Sequence, residues 1–260
     1  MSADPRHTIR AFLSNEANRG VIGHVQATLG LSKKAIEVAY LRYSSESMSE
    51  GNGIYNDVGT HVAMWIEYQM ANSLHTRRQE LVLRQLQLHR PRTVADIGFG
   101  APTAYLRDYV LHQTLTRVTL FDKYEAAIKV GKAILSYWCD AYNETVDLSL
   151  HDMDTDSSIA ACDCYLMLDA IEHASAPGRY LTDTVAAASA RALFLLHIPI
   201  GPLIPSHSIA WLHEYDATQW LKATGLDILE TELLLPNPAV DHFARGEIVL
   251  KNLFVVARRI

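Results

Sequence analysis

Hydrophobic residues in the first part of the chain recur every three or four positions, which is the spacing of one face of a helix. Two segments carry this pattern most clearly, residues 33–43 and the longer stretch 60–89. Thr60 is suited to cap the start of the long helix, and Pro91 closes it. Gly51 and Gly53 mark a loop between the two segments. The region before residue 92 is therefore predicted to be helical.

After Pro91 the pattern changes to short β-rich runs that alternate with helical segments. The predicted strands are residues 93–97, 117–121, 145–150, 163–168, 192–198, 227–234 and 248–257, and the predicted helices are residues 103–112, 124–141, 178–190 and 216–224. Several strands are apolar throughout, which is typical of a parallel sheet covered by helices on both faces.

This order predicts an α/β fold, a doubly wound Rossmann-like sheet of seven mostly parallel strands with an antiparallel C-terminal hairpin. Residues 92–260 would form that domain, and residues 1–91 a helical region that acts as a lid or dimerisation element. Ligands of such sheets bind outside the carboxyl ends of the strands, so the loops at those ends are the candidate functional segments.

Composition narrows the class of protein. Hydrophobic residues make up 49% of the 260 residues and charged residues 20%, with a formal net charge of −6. An acidic balance argues against non-specific binding to nucleic acid. The sequence has neither an apolar run long enough to span a membrane nor a secretory signal pattern. The three cysteines, Cys139, Cys162 and Cys164, have no framework spacing. We expect a soluble cytoplasmic protein without a membrane or nucleic-acid partner.

The first strand runs directly into a glycine-rich turn. Gly98 and Gly100 permit a tight turn whose backbone comes close to a ligand at the next helix. Thr103 stands where a dinucleotide fingerprint has its third glycine, so the turn alone is a weak indication. Asp122 follows the second strand, 22 residues beyond Gly100, where a carboxylate accepts hydrogen bonds from ribose hydroxyls. The alternative for Asp122 is an ordinary helix N-cap.

Polar residues also follow the third and fourth strands. Asp152 is placed to accept the amino group of an adenine, with Met153 packing on the ring. Beyond the fourth strand, two carboxylates and an imidazole are grouped within five residues, at Asp169, Glu172 and His173.

Taken together, these segments resemble the class I S-adenosylmethionine-dependent methyltransferases over about residues 92–260. VADIGFGAPTAYL resembles the family's first motif, although Pro102 replaces its usual third glycine, and VTLFDKYEAAIKVGKAIL resembles the second. CDCYLMLDAIEHASAPGRYL is similar to the D-x-x-E-H segment of the ubiquinone-pathway O-methyltransferases. The resemblance implies S-adenosylmethionine as the cofactor, with its methionine end held by Asp96, Gly98 and Gly100, its ribose by Asp122, its adenine by Asp152 and Met153, and its sulfonium beside Asp169.

Histidines are the candidate general bases, because imidazole titrates near neutral pH. His173 is the first candidate and His213 the second, whereas His197 lies in an apolar strand and is expected to be a core residue. Tyr43 and Tyr55 flank a loop at residues 44–54 that is predicted to close over the substrate, with His173 and His213 as further substrate contacts. In some relatives the D-x-x-E-H pattern binds a divalent ion, here Asp169, Glu172 and His173, but no metal is expected.

The sequence thus predicts transfer of a methyl group from S-adenosylmethionine to a small molecule, in specialised metabolism, by an enzyme that forms a homodimer. The acceptor atom stays open between oxygen, nitrogen, carbon and sulfur. Two alternatives remain at this point. One is an NAD(P)-dependent oxidoreductase on a Rossmann fold, and the other is a non-catalytic protein that binds S-adenosylmethionine.

Overall fold

The structure, a computed structural model, describes residues 4–46, 52–70, 73–112, 116–156, 159–237, 241 and 250–260. The helices are α1 (Pro5–Ser14), α2 (Glu16–Leu29), α3 (Lys33–Glu46), α4 (Val58–Tyr68), α5 (Leu74–His89), α6 (Ala104–Asp108), α7 (Glu125–Trp138), α8 (Pro177–Ala187) and α9 (Glu214–Ala223). The strands are β1 (Thr93–Ile97), β2 (Arg117–Asp122), β3 (Val146–Leu150), β4 (Cys164–Leu168), β5 (Leu193–Ile200), β6 (Leu226–Leu234) and β7 (Lys251–Arg259).

The seven strands form one sheet in the order β3-β2-β1-β4-β5-β7-β6. β1 to β5 pair in parallel, and β7 lies antiparallel between β5 and β6. The chain reverses its strand order between β1 and β4, and the loops that follow these strands meet at one edge of the sheet. The prediction of a doubly wound, mostly parallel sheet with an antiparallel C-terminal hairpin is confirmed.

The sheet is covered by hydrophobic side chains on both faces, as the unbroken apolar runs predict. Every residue of β4 and β5 is buried. In β4, Leu166 packs into the cluster on one face, and its neighbours Tyr165 and Met167 pack into the cluster on the other. Successive side chains of a strand point to opposite faces, so a central strand must be apolar at every position.

The long helix predicted for residues 60–89 is wrong, because the structure breaks this segment into α4 and α5. Asp57, rather than Thr60, caps α4, and its side chain accepts a hydrogen bond from the backbone of Gly59 at 3.2 Å. Ser73 caps α5 in the same way through the backbone of Thr76 at 3.0 Å. Each cap satisfies a backbone donor that the new helix leaves free, which stabilises the two starts.

Other boundaries differ by a few residues. The helix predicted for residues 103–112 is the short α6 followed by a turn of 3₁₀ helix, and α8 starts at Pro177, whose ring suits the first helical turn. The last strand begins at Lys251, and residues 248–249 of the predicted strand lie outside the described residues. Residues 47–51 of the predicted closing loop lie outside them as well.

The N-terminal helices pack beside the sheet rather than apart from it. Their core cluster includes Val130 and Ile134 of α7 and Ala101 of the glycine turn. α5 also contacts β6 through Gln85, which donates a hydrogen bond to Glu230 at 3.0 Å. Among the helices described here, none is long and apolar enough to cross a membrane. The helical region thus covers the edge of the sheet where the candidate site residues lie.

Candidate active site

The glycine turn after β1 forms the floor of a cavity. Gly98 and Gly100 have φ values of 69° and 60°, in the left-handed region that favours glycine. A Cβ atom on Gly98 would lie 2.6 Å from the Cβ of Ala170, and one on Gly100 would lie 2.6 Å from the Cε of Met64. Both positions therefore favour glycine for conformation, and Gly98 also requires it for space, since Ala170 cannot move aside as the flexible end of Met64 can. The turn lines the cavity with backbone.

Asp122 stands at the end of β2 beside this turn. Its carboxylate is buried and accepts hydrogen bonds from the backbone N–H groups of Gly100 and Tyr124, both at 3.0 Å. Burial raises the pKa of Asp122, and the nearby His61 and the two backbone donors act in the opposite direction. Each carboxylate oxygen has two lone-pair positions, so Asp122 keeps acceptor capacity for the hydroxyls of a ligand.

His61 joins α4 to the glycine turn, a contact that sequence reasoning missed. Its Nδ1 lies 2.7 Å from the carbonyl oxygen of Gly100, and its Nε2 lies 2.8 Å from the carbonyl oxygen of Tyr55. Carbonyl oxygens only accept hydrogen bonds, so both contacts are hydrogen bonds when the imidazole carries a proton on each nitrogen. The helical region is thereby fixed to the turn that follows β1.

The cavity encloses about 820 Å³, its open mouth included, and lies at the carboxyl ends of the strands. This is the size and position expected for a small-molecule site in a doubly wound sheet. It brings together residues predicted from several separate segments, namely Tyr43, Tyr55, Gly98, Gly100, Asp122, Met153, Asp169 and His173. Tyr68, His61, His75 and His151 also line it.

Asp169 is the centre of a network of buried side chains. Arg78 of α5, only 1% exposed, donates to Oδ2 at 2.5 Å. His197 Nδ1 and Asn252 Nδ2 lie 2.8 Å and 2.7 Å from Oδ1. The backbone of Asp169 has a φ of 58°, a left-handed conformation that aspartate tolerates better than most residues. Side chains from three elements, α5, β5 and β7, thus converge on one carboxylate.

The network holds Asp169 ionised. Burial alone would raise the pKa of its carboxyl group, but His197 and Arg78 outweigh burial and hold that pKa well below its usual range. Burial lowers the pKa of His197, which is fully buried in β5 as the sequence predicts for a core histidine. Because both oxygens of Asp169 already accept hydrogen bonds, its arrangement suits positioning and charge compensation more than proton abstraction.

His173 has the geometry of a general base. Its Nδ1 lies 2.9 Å from the carbonyl oxygen of Ser206, which fixes the proton on Nδ1 and leaves the lone pair on Nε2. Burial lowers the pKa of His173, so the neutral ring predominates at neutral pH. The ring lines the cavity and makes an edge contact with Tyr55, with 6.3 Å between ring centroids.

A second cavity adjoins the first on the other side of Asp169 and His173. The two share five residues, Tyr43, Tyr55, His75, Asp169 and His173. The second is also lined by Leu74, Ile204 and Leu250 and carries Glu172, His207 and Asn252 as polar groups. Two ligands, one in each cavity, would therefore meet at His173.

Glu172 lies beside His173 in this second cavity. Its side chain is 1% exposed, and Oε2 has no hydrogen-bond partner among the described residues. Burial and the charge of Asp169 raise the pKa of Glu172 well above its usual value. Potential ligand atoms of Glu172, His173 and His207 lie within 4.8 Å of one another. The sequence analysis named Asp169, Glu172 and His173 as possible metal ligands. In the structure the group that could hold a metal ion is Glu172, His173 and His207 instead.

Three predicted site residues lie outside both cavities. Asp96 is buried behind the glycine turn, where the hydroxyl of Tyr105 donates to it at 2.6 Å, and burial raises its pKa to about 6. Asp152 accepts a hydrogen bond from the backbone of Asp154 at 3.0 Å, next to Met153 in the cavity wall. His213 is exposed at the N-cap of α9, so its position does not support a role as a base.

Comparison with known proteins places this architecture among methyltransferase structures. No protein-family model and no curated protein matches the sequence. Among solved structures, the chain is similar to magnesium protoporphyrin IX methyltransferase (ChlM) from Synechocystis PCC 6803 with bound SAH. The TM-score is 0.57 at 14% identity over 80% of this chain and 97% of that chain.

Two further structures extend the comparison. The S-adenosylmethionine-dependent methyltransferase SibL matches with a TM-score of 0.54 at 17% identity, over 97% of this chain and 73% of that chain. The [4+2]-cyclase SpnF matches with a TM-score of 0.56 at 12% identity, over 71% of this chain and 80% of that chain. At these identities the likeness concerns the fold. The chain therefore has the Rossmann-like fold of the class I methyltransferases, with a cavity where that fold class binds its ligands.

Proposed function

We propose that this protein transfers a methyl group from S-adenosylmethionine to a small-molecule acceptor. The observation that carries the proposal is that one continuous space is lined by the glycine turn, by the Asp122 carboxylate and by the free Nε2 of His173. The methyltransferase structures of the same fold, two of them named above, support the cofactor and the reaction class.

The residues present fit S-adenosylmethionine. Gly98 and Gly100 line the cavity with backbone, and at Gly98 a Cβ would clash with Ala170. Asp122 has lone pairs left for the two ribose hydroxyls, and Met153 and Tyr124 offer apolar surface to an adenine. Asp152 stays a proposed partner of the adenine amino group. When bound, S-adenosylmethionine supplies a methyl carbon that is already activated by its positively charged sulfur.

The chain's own residues then position the acceptor and accept its proton. Tyr43 and Tyr55 line both cavities, so their rings are placed to position an acceptor at the junction. Asp169, held ionised by Arg78 and His197, places negative charge beside the expected position of the sulfonium. His173 accepts the proton of the acceptor at Nε2. A hydroxyl acceptor fits this arrangement, since it must lose a proton on methylation.

Binding of the cofactor is tested by calorimetric titration with S-adenosylmethionine, S-adenosylhomocysteine and NADH. We expect micromolar binding of the two adenosyl ligands and none of NADH. Asp122→Asn should weaken S-adenosylmethionine binding at least about tenfold, a loss of about 1.4 kcal/mol. Binding of NADH alone would instead favour the oxidoreductase.

Turnover is tested with a panel of small hydroxylated acceptors and a labelled methyl group. His173→Gln should lower kcat about 10²–10⁴-fold while leaving S-adenosylmethionine affinity within about threefold. His7→Gln, on the exposed face of α1, is the matched control and should retain full activity. If His213→Gln abolished turnover and His173→Gln did not, the base would be misassigned. Tight S-adenosylmethionine binding without transfer to any acceptor would favour a role other than methyl transfer. The [4+2]-cyclase SpnF, a structure of similar fold, is named for a reaction other than methyl transfer.

A further inference from the structure

A separate cavity lies at the opposite edge of the sheet, where β1, β4 and β5 begin. It encloses about 730 Å³, its open side included. Four arginines and one histidine surround a single carboxylate in its lining: Arg90, Arg92, Arg191, Arg258, His89 and Asp163. Four guanidinium groups against one carboxylate leave an excess of three positive charges in a chain whose formal net charge is −6.

The carboxylate in this cavity is engaged with the backbone. Oδ2 of Asp163 accepts hydrogen bonds from the N–H groups of Arg92 and Thr93, at 3.0 Å and 3.2 Å. Within the part of the chain that the structure describes, none of the four guanidinium groups forms an ion pair or a hydrogen bond with the protein. Their donors are free for a ligand, and the protein offsets only part of their charge.

Two of these arginines stand where the backbone favours glycine. Arg90 follows the last turn of α5 with a φ of 46°, and Arg191 precedes β5 with a φ of 66°. Among the described residues only Asp169 shares this conformation without being glycine, and Asp169 lies in the candidate active site. Strained residues of this kind concentrate at functional sites, because selection retains the side chain despite the conformational cost.

The charge in the cavity also affects its neighbours. Partial burial and the positive charge of Arg258 lower the pKa of His89, so Arg258 lies close enough to act on a second group of the lining. Several like charges at one place repel each other unless an anion joins them.

We propose that this cavity binds the phosphate group of a small molecule. Guanidinium groups match phosphate oxygens with pairs of hydrogen bonds, and an excess of three positive charges suits a multiply charged anion. The site is independent of the proposed methyl transfer, since it lies at the other end of the same strands. Free inorganic phosphate and a phosphate ester present the same oxygens to the arginines.

The test is calorimetric titration with inorganic phosphate, pyrophosphate and glycerol 3-phosphate in about 0.1 M NaCl, where long-range charge effects are screened beyond about 10 Å. We expect saturable binding with a Kd below about 1 mM, tighter for pyrophosphate than for phosphate. Glycerol 3-phosphate binding as tightly as phosphate would identify an esterified ligand, and weaker binding would identify free phosphate. Absence of saturable binding for all three would overturn the proposal.

Substitution by glycine separates binding from folding. The double variant Arg90→Gly/Arg191→Gly relieves both left-handed residues, so its Tm should equal or exceed that of the parent, while phosphate binding falls at least about tenfold. The matched control is Arg6→Gln/Arg19→Gln, which removes the same charge from exposed positions of α1 and α2 and should leave binding unchanged. If the glycine variant does not fold, Arg258→Gln gives the same readout. If the variant and the control lost phosphate affinity equally, the effect would come from the overall charge of the protein. That result would contradict a specific phosphate site in this cavity.

Discussion

The two sides of the active-site cavity are built on different principles. On the side of β1 and β2, called here the glycine side, the backbone N–H of Gly98 donates to the carbonyl oxygen of Phe121 and that of Gly100 donates to the Asp122 carboxylate. On the side of β4 and β5, called here the network side, Asp169 is held by three side chains, Arg78, His197 and Asn252. These three come from α5, β5 and β7.

The difference teaches which features of a site are local. On the glycine side the residues that need a special backbone conformation, and the carboxylate that they contact, lie within one βαβ unit. A short sequence pattern is therefore enough to specify this side of the site. On the network side Arg78, His197 and Asn252 are polar and buried, and their contacts with the partly exposed Asp169 carboxylate offset the cost of that burial. Removal of one member should therefore cost more on the network side than on the glycine side.

The largest effect is expected from Arg78→Met, which keeps the volume of the side chain but leaves the Asp169 carboxylate without its buried cation. Breaking a buried ion pair in this way costs about 3–5 kcal/mol of the free energy of unfolding, measured by urea denaturation at pH 7. Arg84→Met, on the same helix but half-exposed and paired with Glu230, is the matched control and should cost under about 1 kcal/mol.

A second variant separates unpaired charge from lost packing. Asp169→Asn in the Arg78→Met background removes the unpaired charge, so the double variant should be more stable than Arg78→Met alone. If Arg78→Met and Arg84→Met lowered the free energy of unfolding equally, the Asp169 carboxylate would not depend on a buried cation.

A smaller effect is expected on the glycine side from Gly98→Ala, about 2–3 kcal/mol. It combines a left-handed alanine with a contact of 2.6 Å to the Cβ of Ala170. Gly30→Ala is the matched control, because Gly30 has a φ of 67° but open space around its Cβ position. The control should cost only about 1–2 kcal/mol in the same denaturation experiment. If the control cost as much as Gly98→Ala, the contact with Ala170 would play no part.

The smallest effect concerns acid sensitivity on the network side. Burial lowers the pKa of His75, next to Tyr68 in the cavity wall, from 6.5 to about 3. Below pH 6.5 the unfolded chain binds a proton at this residue that the folded chain does not, so stability falls as pH falls through this range. At pH 5 the loss attributable to His75 is about 2 kcal/mol.

Urea denaturation at pH 7 and pH 5 measures this loss. His75→Gln should shrink the difference between the two pH values by about 2 kcal/mol, whereas the exposed His7→Gln should leave the difference unchanged. A variant of His75 with the acid sensitivity of the parent would show that other buried groups cause it.

Several boundaries of the fold followed from the sequence because the interactions that set them are short in range. β1 has the bounds that its apolar run predicts, and the sheet has the predicted number and direction of strands. The break between α4 and α5 was missed, since Asp57 and Ser73 are suitable caps but the apolar spacing continues through both helices. In the structure the caps mark the two helix starts, and the two helices pack on different elements, α4 on α7 and α5 on β6.

For the site, the sequence by itself determined the glycine turn, Asp122 and the grouping of Asp169, Glu172 and His173 after one strand. Each depends on residues adjacent in the chain or in neighbouring βα units. The tertiary structure alone decided that Arg78 and Asn252 bind Asp169, that His61 binds the turn and that His213 lies outside the cavities. Arg78 is 91 residues from Asp169, and nothing in either segment marks the other. Such pairs form because a buried charge must find a partner, and which partner is near depends on how the whole chain packs.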